Sequence, residues 1–258
     1  MAAGCDEVVH MVAGVPRIIK SPPGESPSGP KDAAVPEEFT PEKKQGLYDA
    51  IYKRRDMRHF QSKPVPAAVL RRILDAAHHA GSVGFMQPWN FLVIKDLQIR
   101  QAVARNFKAA NEQGAARFTG ERRELYASLK LEGILEAPLN ICVTCDSTRG
   151  GPQVLGRDTI PETDLYSTCC AVQNLWLAAR AEGLGVGWVS ILSVEFLKET
   201  LGIPAHVHPV AYLCVGYPRE FYPAPMLEEA GWAQRIPLRQ LVFQDQWSRP
   251  PDFLPDGD

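Results

Sequence analysis

Nowhere does the sequence hold an apolar run approaching the roughly 20 residues that span a bilayer. Its N-terminus has no basic segment leading into an uninterrupted apolar one. A soluble, cytoplasmic protein is the expectation. Charge of one sign is also missing: 258 residues carry 28 Lys and Arg against 30 Asp and Glu, a net charge of -2. No global basic field exists to hold nucleic acid or an anionic membrane, so any anion site must be local. Cysteines are few and scattered, six in a chain too large to depend on disulfide staples. Cys142 and Cys145 have zinc-ribbon spacing, but they sit in the strand-like PLNICVTCD with no second ligand pair. His78 with His79, and His206 with His208, have no nearby carboxylates at ligand spacing, so no metal site is expected. No internal repeat is visible, and no glycine fingerprint opens a helix as dinucleotide binding requires.

What is present suggests one sizeable folded unit, with 45% hydrophobic and 22% charged residues. Residues 1–40 include a Pro-, Ser- and Gly-rich stretch with little apolar content to offset the entropy of ordering, and a disordered tail is expected there. Folding should start at Thr40-Pro41-Glu42, a cap followed by proline at the first helical position, in a helix carrying Leu47, Ile51 and Tyr52. A second helix follows KPVP and stops at Gly81. WNFLVIK, LNICVTC, GLGVGWVSI and HPVAYLCVGYP read as strands, with a short helix at 194–201 between the last two. Residues 106–132 are polar and charged and suit an exposed helical excursion. The helix from about Asp164 to Glu182 has small or apolar residues on nearly every side, which predicts burial all round. Residues 220–258 read as an extended arm that packs on something else, such as a partner subunit.

Three segments carry the candidate chemistry. RRDMRHF places Arg54, Arg55 and Arg58 around Asp56. Basic residues are common in a last helical turn, which accounts for Arg54 and Arg55 but not Arg58, and three guanidiniums also suit bidentate recognition of a phosphate. SVGFMQPWNF sets Ser82, Gln87 and Trp89 on a glycine-flanked loop entering a strand, and Gln87 offers a donor and an acceptor to a planar heterocycle. GLGVGWVS lets a backbone approach closely at its glycines and ends in Ser190.

In this order the three segments resemble the flavin-binding pattern of the nitroreductase family over roughly residues 41–245. That resemblance implies an α+β fold, a central mixed sheet flanked by helices, in a homodimer with FMN at the subunit interface. It implies that Arg54, Arg55 and Arg58 hold phosphate and ribityl oxygens, with Arg235 in the arm as a further phosphate candidate. Ser82, Gln87 and Trp89 would line the flavin site, with Met57 and Leu131 as further flavin contacts.

Two residues depart from the usual pattern: Asp56 stands where ordinary members carry serine, and Phe85 where they carry asparagine. With Met57, they resemble a flavin-fragmenting branch of the family, in which reduced FMN is the substrate and is consumed with molecular oxygen. By that resemblance Asp56 is the candidate general base and Ser190 a catalytic hydrogen-bonding partner, while residues 106–132 form a lid. A separate NAD(P)H-dependent flavin reductase would supply the reduced FMN. The alternatives are an NAD(P)H-dependent nitroreductase that retains its FMN and, third, a non-enzymatic flavin-binding module.

Overall fold

The structure, a computed structural model, describes residues 8–12, 15–20 and 38–254. The chain divides into two units, residues 1–44 and 45–258. In the first, β1 (Val8–Val12) and β2 (Val15–Lys20) pair antiparallel, with Val8 opposite Lys20 and Val12 opposite Val15. VVHMV and VPRIIK are rich in β-branched residues, which favour extended backbone. The Pro-, Ser- and Gly-rich stretch at 21–37 lies outside the described residues.

The elements that follow are α1 (Pro41–Lys53), α2 (Ala67–His78), β3 (Trp89–Ile94), α3 (Leu97–Ala115) and α4 (Gly120–Ser128). After them come β4 (Leu139–Asp146), α5 (Thr163–Ala181), β5 (Gly185–Val189), α6 (Val194–Leu201), β6 (Val207–Gly216) and the short α7 (Met226–Glu229). Local signals set several boundaries. Asp96 caps α3 by accepting from the N–H groups of Gln98 and Ile99, and Ser193 caps α6 by accepting from that of Phe196. Gly202 ends α6 in the left-handed conformation.

The four strands of the second unit lie in the order β3-β4-β6-β5 and pair antiparallel throughout. The parallel component of this sheet is one isolated bridge, Asp56 to Val186, at its β5 edge. Because side chains alternate along a strand, β4 and β6 feed both faces. Leu139, Ile141, Val143, Ala211, Leu213 and Val215 join α2 and α5 in one core. Cys142, Tyr212 and Cys214 join Val103 and Phe107 of α3 and Leu197 of α6 in the other. The strand signal in LNICVTC is a nearly unbroken apolar run for this reason: both faces are covered. Burial pushes the Cys142 and Cys214 thiols up to about 12, so both stay protonated and act as small apolar groups.

Residues 106–115 continue α3, and Phe107 packs beside Val103 in the core; the separate element of the expected excursion is α4 alone. The α5 helix is not buried all round within one chain, since α2 and the sheet cover one side and leave Leu165, Tyr166, Cys169 and Cys170 exposed. In the arm, Trp232 packs against Phe118 and Tyr126 at α4, with the Arg122 guanidinium 3.5 Å above its ring. Leu238, Leu241 and Trp247 farther along remain exposed. Among the described residues no helix is long and apolar enough to cross a membrane.

Candidate functional site

Where α1 ends, the chain turns back and runs along the outer edge of β5. Met57 N–H donates to the Val186 carbonyl of β5 at 2.9 Å, so RRDMRHF covers the open sheet edge there, and the next residue, Gln61, donates its N–H to the Tyr217 carbonyl just past β6 at 2.8 Å. Gly187 makes this approach possible: a Cβ there would collide with the Met57 carbonyl and lie 2.7 Å from Arg58 Nη1.

That placement fixes Asp56. Its Oδ1 accepts from the Trp188 N–H at 2.8 Å, and its Oδ2 accepts from Arg58 Nη2. The same Arg58 nitrogen donates to the Trp188 carbonyl at 2.9 Å. Burial raises the Asp56 pKa, against the opposing pull of Arg58, the Trp188 N–H and Arg54, so desolvation outweighs the cations that the sequence places around it.

Arg54, Arg55, Asp56 and Arg235 line one cavity of about 730 Å³, together with Ile51 and Tyr52 of α1, Gln173 of α5 and residues 223–228 of the arm. A cavity of this size falls within the roughly 300–1,000 Å³ of small-molecule sites. Arg55 is braced by the carbonyls of Tyr52, Arg54 and Pro223, and Arg54 lies 4.8 Å over the Trp176 ring. Burial, with smaller repulsion from Arg55 and Arg235, lowers the Arg54 pKa. The Nε atoms of Arg54 and Arg55 are buried without hydrogen-bond partners among the described residues. Clustered cations with unused donors are the chemistry that receives a phosphate, and the cavity suits a phosphorylated ligand such as FMN.

The other residues singled out from the sequence fall elsewhere. Arg58 is 5% exposed and directed inward, so it holds Asp56 and β5 instead of lining the cavity. The Met57 side chain is fully buried in the core shared with Phe60 and Val189, and Met57 does not line the cavity. Leu131 packs against that core alongside Ile191 and Leu192, while Ser190 is exposed just past β5, two residues beyond Trp188. Gln87 and Trp89 line a second cavity of about 640 Å³ that shares no lining residue with the first. Ser82 accepts from the Gln87 N–H at 3.1 Å, and Trp89 Nε1 donates to His78 Nδ1 at 3.2 Å. Within one chain the arginine group and the Gln87 group are therefore apart. Sequence reasoning missed Gln173 and the Pro223 carbonyl, whose roles depend on which elements meet and leave no local pattern.

The profile of the nitroreductase family matches residues 51–217, which span the Asp56 segment, the Gln87 turn and β5. A 5,6-dimethylbenzimidazole synthase of Rhodospirillum rubrum is 45% identical over 200 residues, covering 77% of this chain and 94% of that protein. Another, from Rhodobacter capsulatus, is 38% identical over 191 residues, covering 74% and 92%. Among solved structures, oxidized iodotyrosine deiodinase bound to FMN and 3-iodo-L-tyrosine superposes with a TM-score of 0.58 at 24% identity, over 69% of this chain and 92% of that one. The last likeness is one of fold.

Proposed function

The chain belongs to the nitroreductase family, and from that premise we propose that it makes 5,6-dimethylbenzimidazole from reduced FMN and oxygen. The observation that carries this reading is Asp56: a carboxylate fixed at the wall of an arginine-lined cavity, where a site that only held phosphate would be weakened by its charge. Reduced FMN is the substrate. Its dimethylated ring, with the two nitrogens attached to it, becomes the benzimidazole. Its five-carbon ribityl phosphate gives one carbon to the new ring and leaves as four-carbon erythrose 4-phosphate. The remaining four-carbon pyrimidine part of the flavin leaves carrying both oxygen atoms of O2, which is the oxidant. The carbon that is transferred passes from CH2 to the CH of the new ring, so it must lose one proton as its bond to the next ribityl carbon breaks, which calls for a base beside it.

In this reading Arg54, Arg55 and Arg235 hold the phosphate end, and Asp56 accepts the proton. Arg58 and the Trp188 N–H keep the carboxylate in place. Ser190 hydrogen-bonds the reacting edge of the flavin. Helix α4, tied to the arm through Trp232, closes over the site and excludes water. The reduced FMN comes from a separate NAD(P)H-dependent flavin reductase. Formation of dimethylbenzimidazole on adding oxygen to protein and reduced FMN tests the reading.

The active form is a homodimer in which each site takes its arginines from one subunit and its Gln87 turn from the other. Two features support this: the two groups line separate cavities in one chain, and exposed apolar residues of α1 (Leu47, Ile51) and α5 (Leu165, Tyr166) are left without cover. A mixing experiment distinguishes a shared site from a self-contained one. Arg54→Ala and Gln87→Ala should each bind FMN poorly, but after unfolding and refolding together, random pairing should restore roughly a quarter of wild-type sites. No recovery in mixed dimers would place both groups in one chain's site.

The raised Asp56 pKa also sets a sign for stability. A carboxyl whose folded pKa is raised contributes stability that is fully present below the unfolded value near 3.8 and is lost as pH rises through the folded value. Asp56→Asn escapes that loss. In flavin-free protein its urea midpoint, measured relative to wild type, should climb from acidic to neutral pH; a falling difference would show that Arg58 dominates instead.

A further inference from the structure

The turn that carries Gln87 is strained, and its restraints come from a loop that no reading above uses. Gly84, Phe85 and Gln87 have φ of +57°, +54° and +48°, the left-handed region that side chains other than glycine rarely enter. Such a backbone persists only where its surroundings hold it. The entry to the turn is held by α5, whose Ser167 Oγ accepts from the Val83 N–H at 3.2 Å. Its exit is held by Arg149, on the loop after β4. Nη1 donates to the carbonyls of Gln87 and Trp89, both at 3.2 Å, and Nη2 donates to Asn90 Oδ1 at 2.5 Å.

Arg149 is itself anchored. Arg157 Nη2 donates to the Arg149 carbonyl at 2.8 Å and lies 3.3 Å from Met86 Sδ, while its Nη1 donates to the Gly151 carbonyl at 2.9 Å. Its Nε pairs at 3.0 Å with Asp164, which is 4% exposed in the first turn of α5. The two loops also interlock sterically, since a Cβ on Gly84 would lie 2.7 Å from the Leu155 carbonyl. A chain of contacts thus runs from a buried carboxylate on α5 through two guanidiniums to the backbone of Gln87.

We propose that Arg149 is a positioning residue: anchored by Arg157 and Asp164, it holds Gln87 in the backbone conformation that aims its amide at the flavin ring. This rests on the flavin reading above, and it makes the effect of Arg149 conditional on Gln87. A lysine could not replace it, because one ammonium lacks the planar fork that reaches two carbonyls and an amide together.

The test is a double-mutant cycle on FMN affinity, read by quenching of flavin fluorescence. Gln87→Ala and Arg149→Met should each weaken FMN binding by roughly tenfold and shift the visible absorption of bound flavin in the same way. The double variant should bind no more weakly than either single one, and Arg149→Lys should restore little. Losses that multiply in the double variant would overturn the proposal, because Arg149 would then act independently of Gln87. An absence of FMN binding by the wild-type protein is a different result, overturning the flavin reading and this proposal with it.

Discussion

Asp56→Asn should bind FMN and form almost no dimethylbenzimidazole. Asparagine keeps the size of the side chain, and its carbonyl can still accept from the Trp188 N–H; the contact with Arg58 is lost, but the arginines that line the cavity are untouched. What disappears is the base. Loss of a positioned general base costs about 10²–10⁴-fold in rate, and the fall should appear in kcat while FMN affinity changes little. The wild-type rate should also rise with pH along a limb set above the ordinary 3.8 of an aspartate, because burial raises this carboxyl and only its ionised form accepts a proton. That limb should be missing from the residual activity of the variant. Equal product from Asp56→Asn and wild type would remove Asp56 from the chemistry and leave it a structural partner of Arg58.

Gly187→Ala should damage fold and site together. The added methyl meets the Met57 carbonyl and Arg58 Nη1, both held where they are by the pairing of the 56–58 segment with β5. The first is backbone, and the second belongs to a guanidinium pinned through Nη2 to Asp56 and the Trp188 carbonyl. An overpacking cost of about 2–3 kcal/mol corresponds to a fall of roughly 4–12 °C in Tm for a domain of this size. The segment must also move away from β5, which breaks the bond from Trp188 N–H to Asp56, so FMN turnover should fall further than stability alone explains. Calorimetry and turnover on the same sample check both parts. A variant with unchanged Tm and turnover would mean that the Asp56 segment is not seated on β5.

These two residues mark how far the sequence could be read. RRDMRHF was legible as a cation cluster around one acid, and GLGVGWVS as a strand that allows close approach, but not the fact that each explains the other. Their contact joins positions 130 residues apart, from Arg58 to the Trp188 carbonyl. Pairing with the sheet edge turns Arg58 and the Met57 side chain inward, which no local pattern signals. The strands were legible because β4 and β6 are covered on both faces and read as apolar runs. The open face of α5 was not, since the sequence puts small or apolar residues on nearly every side of that helix and does not say which side α2 and the sheet cover. Gln87 was visible on its loop, whereas Arg149 and Arg157 looked like ordinary polar residues of a long connection. Their role depends on a turn about 60 residues upstream, reached by the 62-residue separation between Arg149 and Gln87.

The competing readings make different products. A nitroreductase returns its FMN intact after each NAD(P)H-driven cycle, and a binding module changes no flavin at all. The central claim is that this chain consumes the flavin. The most direct measurement is to mix the protein with reduced FMN without oxygen, admit oxygen, and follow flavin and dimethylbenzimidazole by mass spectrometry. Dimethylbenzimidazole should appear mole for mole with the FMN lost, and not with Asp56→Asn. Complete recovery of FMN in its oxidised form, with no benzimidazole, would contradict the account.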